Sequence, residues 1–183
     1  MESEVKSSVH AYVINLIDAK ERMEHMRREL EKLDMPYQRI DAILGRELPK
    51  PIEQFNEKYF NILTGKHQNY GEIGCYLSHL KAFEEFLKSK STHALILEDD
   101  VKLPDNLPGL IQEALNYHPH WDLLRLSSSR EGQYLKIAAI DPDYSLTYNT
   151  KVLKNTGAYV INRKAARACL DKMLPMRLPY DVA

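Results

Sequence analysis

Apolar residues fall along this chain in two kinds of run, and their alternation predicts an α/β fold with a mostly parallel central sheet. Residues 9–16 (VHAYVINL), rich in apolar and β-branched residues, and the unbroken apolar run 94–97 (ALIL) carry the pattern of strands buried on both faces. Between them, Met23, Met26, Leu30 and Leu33 recur at helical spacing within a highly charged segment. Asp18 is placed to cap that helix and Pro36 to end it. A short second strand over residues 37–43 completes a βαβ-like opening. Residues 45–66, with prolines at 49 and 51, predict a loop holding a short helix over 52–62. A longer helix is predicted over 71–90, with Ile73, Tyr76, Leu77, Leu80, Phe83 and Leu87 as its apolar stripe. Further on, the pattern predicts a helix over 107–117, a third core strand over 121–126 (WDLLRL) and a polar loop over 127–133. A hairpin over 134–140 and 145–153 would turn on Asp141-Pro142-Asp143, followed by a strand over 157–162 and a helix over 163–173.

Composition narrows this picture only modestly. A length of 183 residues suits one domain spanning 1–183. A net charge of −1 gives no reason to expect a nucleic-acid partner. No apolar run is long enough for a transmembrane helix, and Met1 to Ser8 lacks the apolar core of a signal peptide. Cys75 and Cys169 lie far apart with no CxxC pair, which argues against a structural disulfide or a zinc site and fits a reducing cytosol. Cys75 itself reads as a small core residue.

The chemistry concentrates where the central strand runs out, at Glu98-Asp99-Asp100. Ligands bind at the carboxyl ends of strands in open α/β sheets. In a continuing strand, Glu98 and Asp100 would point to one side and Asp99 to the other. Converging carboxylates repel unless a cation sits between them, and Mg2+ or Mn2+ takes carboxylates together with substrate phosphates. The acids therefore mark either a metal–diphosphate site or an acidic strand-to-loop turn. Glu72 and His79 are two helical turns apart and share a helix edge, with Glu72 favoured in the first turn by the macrodipole.

Several segments occur together in a fixed order: Ile14-Asn15-Leu16 with Arg22, Ile40-Asp41-Ala42 with Gly45, GEIGCYLSH over 71–79, ILEDD over 96–100, Trp121-Asp122, GAYVI over 157–161 with Ala165-Ala166, and Leu178-Pro179-Tyr180-Asp181. Over essentially its whole length the chain thereby resembles glycosyltransferase family 25, the family of bacterial lipooligosaccharide β-galactosyltransferases and, more remotely, collagen galactosyltransferases. The resemblance implies a GT-A-like nucleotide-binding α/β sandwich, Mn2+ (or Mg2+) at Glu98, Asp99 and Asp100, and inverting transfer of a hexose, galactose foremost, from a UDP-sugar. It implies donor contacts from Asn15 to uracil or ribose, Arg22 to the diphosphate and Asp41 to ribose or uracil, with Leu16, Glu72, Ser78 and His79 beside them. Asp181, matching the family's Pro-x-Asp, is implied as the catalytic base, with Asp122 as second candidate and a helix or strand-edge cap as its competing role. The implied acceptor is a glycolipid or oligosaccharide of the lipooligosaccharide or lipopolysaccharide core. The implied location is the cytoplasm, with peripheral contact on the inner leaflet of a bacterial inner membrane. Members generally continue past the Pro-x-Asp, so a chain lacking that C-terminal part is expected, and a nucleotide-sugar-binding domain without turnover is the alternative reading. A generic α/β domain whose acids are structural is the third.

Overall fold

The structure, a computed structural model, describes residues 8–117, 120–128, 132–151 and 153–182. Five strands form the central sheet: β1 (Val9–Asn15), β2 (Tyr37–Asp41), β3 (His93–Glu98), β4 (Leu123–Arg125) and β7 (Ala158–Asn162), in the order β2-β1-β3-β7-β4. β1 pairs in parallel with β2 and β3, while β7 runs antiparallel to both β3 and β4. Four of the five strands thus share a direction, the mostly parallel sheet expected of an α/β chain. The βαβ opening forms as its pattern predicts, with α1 (Lys20–Lys32) crossing between β1 and β2.

The unbroken apolar runs have a direct cause, since both faces of the sheet are covered. Tyr12, Ile14, Ala94, Ile96, Tyr159 and Ile161 face one layer, made by α3 (Tyr70–Lys88) and α5 (Arg163–Lys172). Ala11, Val13, Leu95, Leu97, Ala158 and Val160 face the other, made by α1 and α4 (Leu107–Leu115). Side chains alternate along a strand, so each central strand must be apolar at every position.

Several boundaries differ from expectation. Asp18 does not cap α1: Ala19 holds that position with no side-chain hydrogen bond. The short helix, α2, spans Glu57–Thr64 instead of 52–62, capped by the Asn56 side chain and closed by Gly65 at φ 66. Asn69, whose side chain accepts from the Gly71 and Glu72 amides, starts α3 one residue early. The segment over 121–126 is no core strand. It supplies only the three-residue edge strand β4, with Leu123 exposed because one neighbour and one layer cover it. The hairpin forms as β5 (Tyr134–Ala139) and β6 (Ser145–Asn149), a separate two-stranded sheet.

Candidate active site

β1, β2 and β3 all end at one edge of the sheet, and a cleft of about 520 Å³ opens there. Leu16, Arg22, Ala42 to Arg46, Tyr70, Cys75, His79 and the acids Glu98 and Asp99 line it. Its far wall is the loop after β2, seated tightly on α3. A Cβ at Gly74 would stand 2.4 Å from the Ile43 carbonyl oxygen, and one at Gly45 would stand 1.9 Å from that of Tyr70. Only glycine permits such an approach. The Ser78 hydroxyl fastens the same contact, accepting from the Ile43 amide at 2.8 Å and donating to the Gly74 carbonyl at 2.6 Å. Ser78 therefore borders the cleft with its hydroxyl already committed to the scaffold.

The three acids part company. Glu98 still obeys the alternation of β3 and faces α3 with Ala94 and Ile96. Its Oε1 accepts from the Thr156 hydroxyl at 2.9 Å and lies 3.4 Å from His79 Nε2. The neighbouring His79 ring foremost, then Thr156 and Arg22, hold its carboxyl below the usual carboxylate range against the opposing effect of burial. Asp99 is buried on the α1 side, where it accepts from Asn15 Nδ2 at 2.6 Å and pairs with Arg22 Nη1 at 2.9 Å. The strand stops at Glu98, so Asp100 does not return to the Glu98 side. It is exposed and lines an adjoining cavity of about 590 Å³ with Val101, Arg125, Ser127 and Asn155. The acids thus fit a divalent ion only in part. Asp99 is spent on Arg22 and Asn15, and Asp100 alone has no hydrogen bond or ion pair to its carboxylate among the described residues.

Asn15 spends its amide hydrogens on Asp99 and the Ala19 carbonyl, and so orients Asp99 from behind the cleft. Arg22 is half-exposed at the cleft margin, clamped through one nitrogen. Asp41 is exposed outside the cleft lining, with Arg39 3.4 Å away. Glu72 also lies outside that lining, 3.7 Å from Lys66.

His79 is fully buried, and burial pushes its pKa down. Its Nδ1 lies 2.9 Å from the Tyr159 hydroxyl, which is 2.7 Å from the Tyr180 hydroxyl, and the Tyr180 ring stacks on the imidazole at 4.1 Å. This stack brings the Pro179-Tyr180-Asp181 segment to the same end of the sheet as Glu98. Asp181 lines a shallow groove of about 820 Å³ along β4, and Arg125 Nη2 donates to its backbone carbonyl at 3.4 Å. Asp122 borders the far end of that groove. It accepts from Asn162 Nδ2 at 2.8 Å and pairs with Lys164 at 3.2 Å. Asn162 is paired with His93 at the start of β3, so Asp122 stands at the opposite edge of the sheet from the acids.

Cys75 is no core residue: its side chain opens to the cleft. Partial burial, with the charges of Glu98, Asp181 and Glu72, pushes its thiol up to about 12. Sequence reasoning missed Cys75, Tyr180, Tyr159 and Thr156 as site residues. The one legible signal was the four-residue spacing of Cys75 and His79, a single helical turn.

The family model described as glycosyltransferase family 25 (LPS biosynthesis protein) matches residues 8–183. Lipooligosaccharide biosynthesis protein lic2B of Haemophilus influenzae is 29% identical over 85% of this chain and 60% of its own length. Procollagen galactosyltransferase 1 of Danio rerio is 28% identical over 90% of this chain and 30% of its own. Inactive glycosyltransferase 25 family member 3 of Mus musculus is 30% identical over 63% of this chain and 21% of its own. The chain spans no more than 60% of the length of these relatives. With a family model matched across nearly all of its residues, the chain belongs to glycosyltransferase family 25.

Proposed function

We propose that this chain binds a UDP-hexose, galactose foremost, in the carboxyl-edge cleft and transfers the sugar with inversion to a core sugar of lipooligosaccharide or lipopolysaccharide. The observation that carries the reading is Arg22, a guanidinium held at the cleft margin by the buried Asp99. Asp99 fixes one nitrogen of Arg22 and leaves its other donors for an anion, the geometry suited to a diphosphate. The names of two relatives, a lipooligosaccharide biosynthesis protein and a procollagen galactosyltransferase, support the sugar-transfer chemistry and the choice of galactose.

The remaining roles follow from placement. Leu16 and the loop over residues 42–46 wall the cleft where a nucleoside would lie, with Asp41 on the outer side of that loop. Asp100 would hold Mn2+ or Mg2+ beside the diphosphate, a single carboxylate being enough when substrate phosphates supply further oxygens. Such an ion, when bound, offsets the charge that grows on the departing UDP. Arg22 stabilises the same charge from the α1 side. Asp181, across β7 from the acids, takes the proton of the acceptor hydroxyl as the new glycosidic bond forms and the bond to UDP breaks. The groove along β4 leads to Asp181 and offers the acceptor its path.

No helix among the described residues is long and apolar enough to cross a membrane. A glycolipid acceptor built on the cytoplasmic leaflet would bring the chain to that surface from the cytoplasm. A second reading, UDP-sugar binding without turnover, is favoured by the likeness to a relative named inactive. A screen of UDP-sugars with Mn2+, following binding by titration calorimetry and UDP release by a coupled assay, tests both. Binding with transfer or hydrolysis supports the enzyme, binding alone supports the second reading, and no binding removes both.

A further inference from the structure

Three side chains on the cleft floor have no part in the sugar transfer proposed above. Cys75 and His79 stand one turn apart on α3, and Glu98 ends β3 opposite them. A ligating atom from each lies within 4.8 Å of the other two. The His79 ring is fully buried, yet its Nε2 has no hydrogen-bond partner, although Glu98 Oε1 is only 3.4 Å away. Its other nitrogen is held at 2.9 Å by Tyr159, itself 2.7 Å from Tyr180, and Tyr180 stacks on the ring with 7° between the planes. Tyr159 is satisfied by either tautomer of the ring: with the proton on Nε2 the imidazole can donate to Glu98, and with it on Nδ1, the form a metal selects, Nε2 turns a lone pair towards the same space. In that form two electron-rich atoms and a sulfur face one small space, a donor set that suits a cation.

We propose that Cys75, His79 and Glu98 form a three-ligand site for a divalent transition metal of the zinc class, with its remaining position open to the cleft. A thiolate and an imidazole select zinc-like ions over Mg2+ and Mn2+, which prefer oxygen. Three protein ligands with one open position is the arrangement of reactive zinc sites, in contrast to closed structural ones. The outer contacts are those such a site requires. The far nitrogen of the histidine is anchored by Tyr159, and the Thr156 hydroxyl donates to Glu98 at 2.9 Å. Binding involves no redox change: the Cys75 thiol gives its proton to solvent as the sulfur–metal bond forms. The site is hidden in the sequence because its third ligand comes from a strand nineteen positions beyond His79, outside any local ligand spacing. The inference stands on these side chains alone and holds whatever nucleotide the cleft accepts.

Titrating Co2+ into the metal-free chain tests it. Saturation at one equivalent is expected, with a near-ultraviolet thiolate-to-cobalt charge-transfer band that Zn2+ displaces. Cys75→Ser should abolish the band while keeping the circular dichroism of the wild type, and Cys169→Ser should retain it. Tyr159→Phe, which removes the anchor of the histidine, should weaken binding roughly 10–100-fold. Absence of the band at stoichiometric cobalt, or a band that survives Cys75→Ser, overturns the proposal. UDP binding is measured separately on cobalt-free protein, so its failure bears on the sugar-transfer reading and leaves this one untouched.

Discussion

Replacing Gly74 by alanine puts a methyl group where the loop after β2 already lies. The new Cβ would stand 2.4 Å from the Ile43 carbonyl oxygen and 2.8 Å from the Gly45 nitrogen, against the 3.4–4 Å of ordinary contact. Both neighbours are backbone, so no side chain can swing aside and the loop itself must move by about 1 Å. Overpacking of this kind costs about 1–3 kcal/mol. The shift also strains the Ser78 clasp on Ile43, which adds about 1 kcal/mol. Alanine is the better residue within a helix by about 0.5–1 kcal/mol, which offsets part of the loss. The net expectation is a destabilisation of about 1–3 kcal/mol, or a fall in Tm of roughly 2–12 °C for a chain of this size. Thermal unfolding followed by circular dichroism reads it directly. Gly109→Ala is the matched control: it lies inside α4 with nothing within 4 Å of the added methyl, and should gain about 0.5–1 kcal/mol. Because the displaced loop walls the cleft, UDP affinity should fall with Tm in Gly74→Ala and stay unchanged in Gly109→Ala. A Gly74→Ala protein as stable as the wild type would refute the seating of that loop on α3.

Other perturbations probe the parts separately. Arg22→Ala should weaken UDP binding by roughly 10–100-fold, since charge-assisted hydrogen bonds to a diphosphate contribute about 1.5–3 kcal/mol, and should also lower Tm, because the buried Asp99 loses its ion pair; calorimetry and thermal unfolding decide. Ser78→Ala leaves the Ile43 amide without its partner and should cost about 1–3 kcal/mol in urea denaturation. Asp122→Asn alters a pair at the opposite edge of the sheet, so UDP affinity should stay within about twofold of wild type, below the 1.4 kcal/mol that a tenfold change requires. Burial pushes the Tyr76 hydroxyl up to about 12. The unfolded chain therefore loses this proton first, and stability should decline as pH rises above about 10; in Tyr76→Phe that decline should be shallower in pH-dependent unfolding.

The sheet was legible in the sequence because its cause is local. Strands covered on both faces have little room for polar residues, and β1 and β3 therefore stand out as largely apolar runs without alternation. β4 was misread for the same reason: Leu123 and Leu124 look like core, but an edge strand with one neighbour leaves Leu123 open. The fate of the three acids was only partly legible. Alternation correctly separates Glu98 from Asp99, but it says nothing of where a strand stops, and β3 stops before Asp100. In the sequence, the glycines of GEIGC stand out only as a motif. The physical role of Gly74, the close approach of the Ile43 carbonyl, needs the loop and helix in three dimensions. The Tyr180–His79 stack joins residues a hundred positions apart, and no periodicity reports a contact of that range.

The central claim is that the carboxyl-edge cleft takes a UDP-sugar through Arg22 and a divalent ion at Asp100. Calorimetric titration of UDP into the wild-type chain and into Asp100→Ala, each with and without Mn2+, tests it most directly. The expected result is saturable binding to the wild type that Mn2+ strengthens, with the strengthening lost in Asp100→Ala and a weaker, Arg22-dependent affinity remaining. UDP affinity that is absent altogether, or equally strengthened by Mn2+ in Asp100→Ala, would contradict it.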